Sequence, residues 1–121
     1  MTALFIHYPK CSTCKKALKY LHEGGLNPEE RHIVEDVPTQ EELIVWIEKS
    51  GLEFKKFFNT SGILYREMGL KDRVKDMSLE EATALLATNG MLIKRPLLIT
   101  DDAVCVGFKE DNYKRVLESN N

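Results

Sequence analysis

The chain has 121 residues, of which 43% are hydrophobic and 30% are charged, which fits one domain with a core of its own. Its formal net charge of -2 at pH 7 gives no electrostatic reason to expect direct contact with nucleic acid. No apolar run approaches the roughly 18 residues of a membrane span, and no signal-peptide pattern opens the chain. We therefore expect a cytoplasmic protein that makes no contact with membranes.

The first part of the chain predicts a strand, a helix and a second strand. Residues 4–8, LFIHY, form a short apolar run typical of a buried strand. Apolar residues then repeat at helical spacing and predict a helix from about Thr13 to Glu23, which Gly24 ends. Residues 31–36, RHIVED, predict a second strand, parallel to the first because a crossover helix joins them.

The middle of the chain predicts helices. Thr39 and Ser78 are each followed three positions later by glutamate, the capping-box signature of a helix start. Gly51 ends the first of these helices, and residues 89–90, Asn-Gly, end the second. Between them, FKKFFNTSG and ILYREMGL predict short helical pieces separated by a polar loop.

Strands return near the end of the chain. Residues 96–100, PLLIT, and 104–108, VCVGF, predict a β-hairpin, and residues 110–119 predict an amphipathic helix. The order is β-α-β, a helical block over about 39–90, then β-β-α. This order predicts one α/β domain of thioredoxin-like architecture, with a mixed four-stranded sheet, flanking helices and a helical insertion.

A Cys-x-x-Cys pair lies where the first strand gives way to the first helix. Unpaired N–H groups and the helix dipole at a helix N-terminus lower the pKa of a thiol. Cys11 is therefore the candidate nucleophile, and Cys14, about one turn along and on the apolar face, the candidate resolving thiol. Lys10, Ser12 and Thr13 surround the pair and are candidate substrate-binding residues.

Two other roles for the pair stay open, a structural turn and half of a zinc site. Zinc needs four ligands, and the remaining candidates are scattered along the chain: His7, His22, His32 and Cys105. His7 and Cys105 lie in strand patterns and are expected to pack in the core, so we expect no metal. Three cysteines make a poor disulfide framework, and a Cys-x-x-Cys in the cytosol favours redox chemistry.

The stretch LIKRPLLIT places Arg95 and Pro96 directly before a strand. Proline begins a strand without removing a needed donor, and a cis peptide bond is possible there. Lys94 and Arg95 fit either a solvated strand end or the neighbour of an anion or thiolate.

Four pieces of the sequence, YPKCSTCKKAL, KKFFNTSG, LLATNGMLIKRPLL and VGF, resemble the arsenate reductase/Spx family in order and spacing over nearly the whole chain. The resemblance implies a thioredoxin-like fold with a helical insertion and a cis peptide bond at Pro96. It also implies that Cys11 is the nucleophile and that Arg95 is the arginine before the proline.

The chain departs from the arsenate-reducing members of that family. The resemblance implies three arginines around the nucleophile, but Asn59 and Gly107 occupy two of those positions, and only Arg95 matches. Several charge-assisted donors are needed to hold an oxyanion with a charge near -2. Those enzymes also do not generally need a second cysteine where Cys14 stands. Arsenate reduction is therefore a less favoured possibility.

The Spx-type regulators resemble the chain in carrying a Cys-x-x-Cys redox switch, and they bind the C-terminal domain of the RNA polymerase α subunit. Gly51 lies near the position of a glycine used in that contact, whereas Ser61 replaces an arginine of the regulators. The combination of CSTC, KKFFNTSG and KRPLL is typical of a bacterial branch described only as arsenate-reductase-related.

These observations predict a thiol–disulfide oxidoreductase. Cys11 attacks a protein disulfide, a peroxide-derived sulfur or a small oxidised substrate, Cys14 resolves the intermediate, and Arg95 holds negative charge nearby. Asn59 and Pro96 complete the candidate substrate-binding residues, with the Asn59 loop expected to face Cys11. We expect no tightly bound cofactor, and an external reductant such as glutathione with glutaredoxin, or thioredoxin. The alternative is an Spx-like redox-sensing regulator that binds the RNA polymerase α subunit.

Overall fold

A computed structural model of the chain describes residues 3–119, which divide into two compact units. One unit combines the residues up to His32 with those from Arg95 onward, and the other is Ile33–Lys94. The helical segment predicted at about 39–90 falls within the second unit. That the two units fold as one domain stays a prediction.

The first unit contains a four-stranded sheet. Its strands are β1 (Ala3–His7), β2 (Glu29–His32), β3 (Leu97–Thr100) and β4 (Val104–Val106), in the spatial order β2-β1-β3-β4. β1 runs parallel to β2 and antiparallel to β3, and β3 and β4 form the hairpin. The mixed four-stranded sheet is therefore confirmed.

Two helices, α1 (Ser12–Glu23) and α6 (Glu110–Ser119), supply the apolar side chains that cover this sheet. Both helices were predicted within one residue of their bounds. The core of the first unit draws on the sheet and on both helices: Phe5, Ala17, Leu21, Leu26, Leu98, Cys105, Tyr113 and Val116. Cys105 is a buried core residue as expected, and His7 lies at the core's margin with its ring centroid 5.0 Å from that of Phe5.

The second strand is shorter and earlier than predicted. The prediction placed it at 31–36, but β2 ends at His32, which pairs with His7 at the end of β1. Residues 33–36 form a turn, and Ile33 is buried within the second unit. Ile33 and Val34 suggested a strand because they are apolar and β-branched, but β1 offers no further partner beyond His7.

The second unit is helical, and within residues 3–119 no helix is both long and apolar enough to cross a membrane. Its α-helices are α2 (Gln40–Ser50), α3 (Ile63–Glu67), α4 (Leu70–Arg73) and α5 (Leu79–Leu86). Two short 3₁₀ turns lie between these helices, at Phe54–Phe57 and Val74–Asp76, and a third, Gly90–Leu92, follows α5. The predicted helices and short helical pieces are present.

Both predicted capping boxes form. The Thr39 hydroxyl accepts from the N–H of Glu42 at 3.1 Å, and Ser78 makes the same bond at 3.1 Å at the start of α5. The end of α5 was predicted too late. The helix stops at Leu86, and the Asn89 side chain accepts from the next 3₁₀ turn at 2.9 Å. Asparagine therefore begins a new turn there rather than ending the helix.

Candidate functional site

A tight turn after β1 places Cys11 at the start of α1. The N–H of Cys11 donates to the carbonyl oxygen of Tyr8 at 2.9 Å, and the N–H of Lys15 donates to the Cys11 carbonyl at 3.1 Å. Cys11 is the N-cap residue, with an extended backbone. Its thiol thus lies beside the unpaired N–H groups of a helix N-terminus, as predicted.

The environment of Cys11 favours its thiolate. Burial alone would raise the pKa of the half-buried Cys11 thiol, but hydrogen bonding from the backbone and side chain of Cys14 opposes this effect. The Arg95 side chain adds a hydrogen bond and a positive charge, and the pKa of Cys11 falls below its usual value. The Cys11 side chain does not accept the N-capping hydrogen bond that a serine or threonine would accept at this position. The backbone of Cys14 nevertheless stabilises the negative charge of the Cys11 thiolate.

Cys14 has the opposite tendency. Its side chain is fully buried on α1, and burial raises the pKa of this thiol to about 12, with a further contribution from the neighbouring Cys11. Hydrogen bonding by the Tyr8 backbone and the charge of Arg95 offset only part of that effect. Both cysteines are free thiols. At neutral pH Cys14 therefore keeps its proton, and ionisation favours Cys11.

Arg95 is the first residue of the second chain segment of the first unit, and its side chain lies beside Cys11. It precedes Pro96 through a cis peptide bond, as expected, and the Pro96 carbonyl accepts from the N–H of Gly107 at 2.8 Å. The guanidinium carbon of Arg95 lies 5.0 Å from the centroid of the Tyr8 ring, a cation–π contact. Of the two interpretations offered for Arg95, the neighbour of a thiolate is the one that the geometry supports.

The other predicted substrate-binding residues are distributed differently. Lys10, Ser12 and Thr13 are exposed around the Cys-x-x-Cys turn. Asn59 lies in the second unit, where its N–H donates to the Leu92 carbonyl at 2.7 Å and its own carbonyl accepts from Gly62 at 3.0 Å. Asn59 thus forms a turn, and its approach to Cys11 stays a prediction.

Two tyrosines near the thiols were not singled out by the sequence. The Tyr8 ring contacts Arg95 and also lies edge-on to His32, with centroids 5.8 Å apart and planes at 88°. Tyr113 is fully buried, and burial raises the pKa of its hydroxyl, with contributions from Cys105 and Cys14. The Tyr8 contacts leave no local signal in the sequence, because Arg95 and His32 both lie far from Tyr8 along the chain.

No metal centre is formed by the described part of the chain. Across residues 3–119, no group of three or more His, Cys, Asp or Glu side chains is arranged to hold a metal ion. His7 instead pairs with Glu30, with 3.2 Å between Nε2 and Oε1.

The sequence matches known proteins along nearly its whole length. The model of the ArsC family matches residues 6–116. The uncharacterized protein YusI of Bacillus subtilis (strain 168) is 54% identical over 94% of this chain and 97% of that protein. The global transcriptional regulator Spx of Enterococcus faecalis is 28% identical over 90% of this chain and 81% of the regulator.

Solved structures match the fold as well. A Bacteroides fragilis protein described as related to the ArsC family has a TM-score of 0.93 and 52% identity, covering 96% of this chain and 98% of that one. An arsenate reductase from Vibrio cholerae has a TM-score of 0.81 and 28% identity, covering 98% and 97%. The two structures support the assignment of the fold to this group of proteins.

Proposed function

The chain belongs to the ArsC family, and from this premise we propose that it is a thiol–disulfide oxidoreductase. Cys11 is the nucleophile and Cys14 the resolving thiol. The observation that carries the proposal is the placement of the two thiols: Cys11 lies at the N-cap of α1 with the Arg95 side chain beside it, whereas Cys14 is fully buried one turn along. This placement displaces their pKa values in opposite directions, downward for Cys11 and upward for Cys14. Opposite displacements in neighbouring groups are typical of sites where one group attacks and the other follows.

The proposed reaction transfers two electrons from the protein to a substrate disulfide. The Cys11 thiolate attacks one substrate sulfur, forming a mixed disulfide and releasing the other sulfur as a thiolate, which takes up the Cys14 proton. The Cys14 sulfur then attacks Cys11, forming the intramolecular disulfide and releasing the second substrate sulfur as a thiolate. Two equivalents of an external thiol, such as glutathione or a thioredoxin-type dithiol, return the protein to its reduced state.

The geometry supports this order of events. Burial raises the pKa of Cys14, and the Cys11 side chain raises it further through its hydrogen bond and charge. Once Cys11 is part of a mixed disulfide, its negative charge is gone, whereas the opposing effects of the Tyr8 backbone and Arg95 remain. Cys14 therefore ionises more readily only after the first attack, so that the second thiol becomes a nucleophile when it is needed.

Arg95 serves Cys11 both as attacker and as leaving group, because a positive charge and a hydrogen bond stabilise its thiolate in either role. A disulfide substrate carries no formal charge on its sulfur atoms, so one positive charge beside Cys11 is sufficient for this reaction. Arsenate carries more negative charge, and of the three arginines that the family resemblance implies, Arg95 is the one present. We therefore propose a sulfur substrate in preference to arsenate.

The reduction potential of the Cys11–Cys14 couple tests the proposal. Purified protein is equilibrated in glutathione redox buffers, alkylated and analysed by mass spectrometry, with Cys14→Ala and Cys105→Ala as matched variants. We expect a reversible intramolecular disulfide with a potential between roughly -180 and -320 mV, the span of cellular thiol systems. It should be lost in Cys14→Ala and retained in Cys105→Ala. Absence of any Cys11–Cys14 disulfide across these buffers contradicts the dithiol mechanism.

A redox-sensing regulator is the second candidate, supported by the similarity to Spx and by Gly51. In Spx-type regulators a glycine near this position contacts the RNA polymerase α subunit. Here Gly51 is exposed at the end of α2. Apart from its two chain neighbours, no residue within 3–119 has a heavy atom within 4 Å of the position that a Cβ would take. Leu52 beside it and Val45 on α2 are 44% and 59% exposed. A small exposed residue with an exposed apolar neighbour, Leu52, leaves room for a protein contact at this helix end.

A pull-down with the C-terminal domain of the polymerase α subunit separates the two candidates. It compares reduced and oxidised protein and uses Gly51→Arg with Gly25→Arg as the control. Both glycines are exposed and have positive φ, 71° and 87°, so both substitutions carry similar backbone strain. A regulator predicts binding that changes with redox state and is lost only in Gly51→Arg. No binding in either redox state excludes this candidate.

A further inference from the structure

Tyr8 contacts all three residues of the site, Cys11, Cys14 and Arg95. The carbonyl of Tyr8 accepts from the N–H of Cys11 at 2.9 Å, and its backbone contributes a hydrogen bond that favours the Cys14 thiolate. Its ring lies 5.0 Å from the guanidinium carbon of Arg95. The backbone contacts need no particular side chain, whereas the contact with Arg95 needs an aromatic face.

We propose that Tyr8 is a positioning residue, whose ring holds the Arg95 guanidinium against Cys11. The inference rests on the proposed function in one respect, that Cys11 is the reacting thiol. An arginine side chain has several rotatable bonds and loses much rotational freedom when its head group is fixed. The face of an aromatic ring attracts the guanidinium and limits that freedom.

The Tyr8 ring is itself held in place. Its edge-on contact with the His32 ring, at 5.8 Å and 88°, is one of the preferred arrangements of aromatic pairs. His32 belongs to β2, which is paired with β1 directly before Tyr8. The sheet thus orients the ring, and the ring orients the arginine. Tyr8 is half-buried, which strengthens a cation–π contact relative to one in open water.

The side-chain role is separable from the backbone role by substitution. Tyr8→Phe keeps the aromatic face and removes only the hydroxyl, whereas Tyr8→Leu keeps an apolar side chain without that face. Replacing residue 8 with phenylalanines that carry one, two or three ring fluorines weakens the face stepwise at nearly constant shape. The fluorinated series remains informative even if Tyr8→Leu does not fold.

The test is the rate at which iodoacetamide alkylates Cys11 in the folded protein as a function of pH. The protein is digested after quenching, and tandem mass spectrometry of the peptides measures the alkylated fraction of Cys11. We expect Tyr8→Phe to match the wild type. Tyr8→Leu should slow alkylation about two- to fivefold at pH values below the Cys11 pKa, the range expected for losing one such contact. The fluorinated series should decline progressively, and the midpoint of the pH profile should move upward.

A double-mutant cycle distinguishes positioning from a general structural effect. In an Arg95→Gln background, Tyr8→Leu should change the alkylation rate no further, because the group it positions is absent. An unchanged profile in Tyr8→Leu, equal rates along the fluorinated series, or a full effect in the Arg95→Gln background each overturns the inference. Alkylation requires neither substrate nor a disulfide. Failure to form the Cys11–Cys14 disulfide would therefore contradict the proposed function alone. The alkylation rates of the Tyr8 variants would still decide whether Tyr8 positions Arg95.

Discussion

Removing the hydroxyl of Tyr113 should stabilise the protein. The side chain is fully buried, and among the described residues its hydroxyl has no hydrogen-bond partner. Most core substitutions that remove atoms are destabilising, because they leave a cavity. Tyr113→Phe is expected to have the opposite sign, because it also removes a polar group that lost its water on folding and gained nothing in return.

The magnitude follows from two opposing contributions. A buried polar group without a partner destabilises the folded state by about 1–3 kcal/mol, and Tyr113→Phe removes this cost. The small cavity left by one oxygen atom destabilises the variant by roughly half a kcal/mol. The aromatic contacts with Phe108 and Tyr20, at centroid distances of 4.9 and 6.3 Å, remain in the variant. We expect a net gain of about 1 kcal/mol, which corresponds to a rise in Tm of roughly 3–6 °C for a chain of this size.

Thermal and urea unfolding of reduced protein, followed by circular dichroism, measures this gain. Tyr20→Phe is the matched control, because its ring packs in the same aromatic group but its side chain is only half-buried. It should change the free energy of unfolding by less than about 0.5 kcal/mol. A lower Tm for Tyr113→Phe would refute the reasoning. It would mean that the hydroxyl has a stabilising partner, and the thiols of Cys14 and Cys105 would be the first to test.

Three further substitutions test the site and the second unit. Arg95→Gln should slow Cys11 alkylation near neutral pH about tenfold by removing a charge-assisted hydrogen bond, whereas the exposed Lys10→Gln should leave it within about twofold; equal effects would contradict the assignment. Thr39→Ala should lower the free energy of unfolding by about 1 kcal/mol in urea titrations, and an unchanged midpoint would contradict the cap. Gly90→Ala should destabilise by at least about 2 kcal/mol, because its Cβ would overlap a backbone carbonyl; wild-type stability would show that this turn adapts.

Features that depend on neighbouring residues were predicted well from the sequence. The capping boxes at Thr39 and Ser78 need only a hydroxyl and a glutamate three positions apart, so their signal is contained in four residues. The position of Cys11 at a helix start follows in the same way from the apolar periodicity after it. In each case the residues that specify the feature are the ones that form it.

Features that depend on distant partners were missed or misplaced. β2 was placed too late because Ile33 is apolar, whereas the end of the strand is set by the last residue of β1. At the site, the family resemblance was needed to predict Arg95 as the positive charge beside Cys11, because nothing in the local sequence distinguishes it from a solvated residue at a strand end. The contact between Arg95 and Tyr8 joins two segments whose meeting depends on the sheet. Periodicity within one segment contains no information about that pairing.

The place of β1 in the sheet has a consequence for synthesis on the ribosome. β1 pairs with β2, which follows soon after it, and with β3, whose first residue Leu97 lies roughly 90 residues beyond His7. At translation rates of about 5–20 residues per second, that interval lasts roughly 5–20 s. Until it ends, one edge of β1 has no partner and the two thiols of α1 lack the guanidinium of Arg95. The nascent chain should therefore lack the contribution of Arg95 to the lowered pKa of Cys11, and the complete reactive centre should form only after the segment that contains Arg95 and β3 has been made.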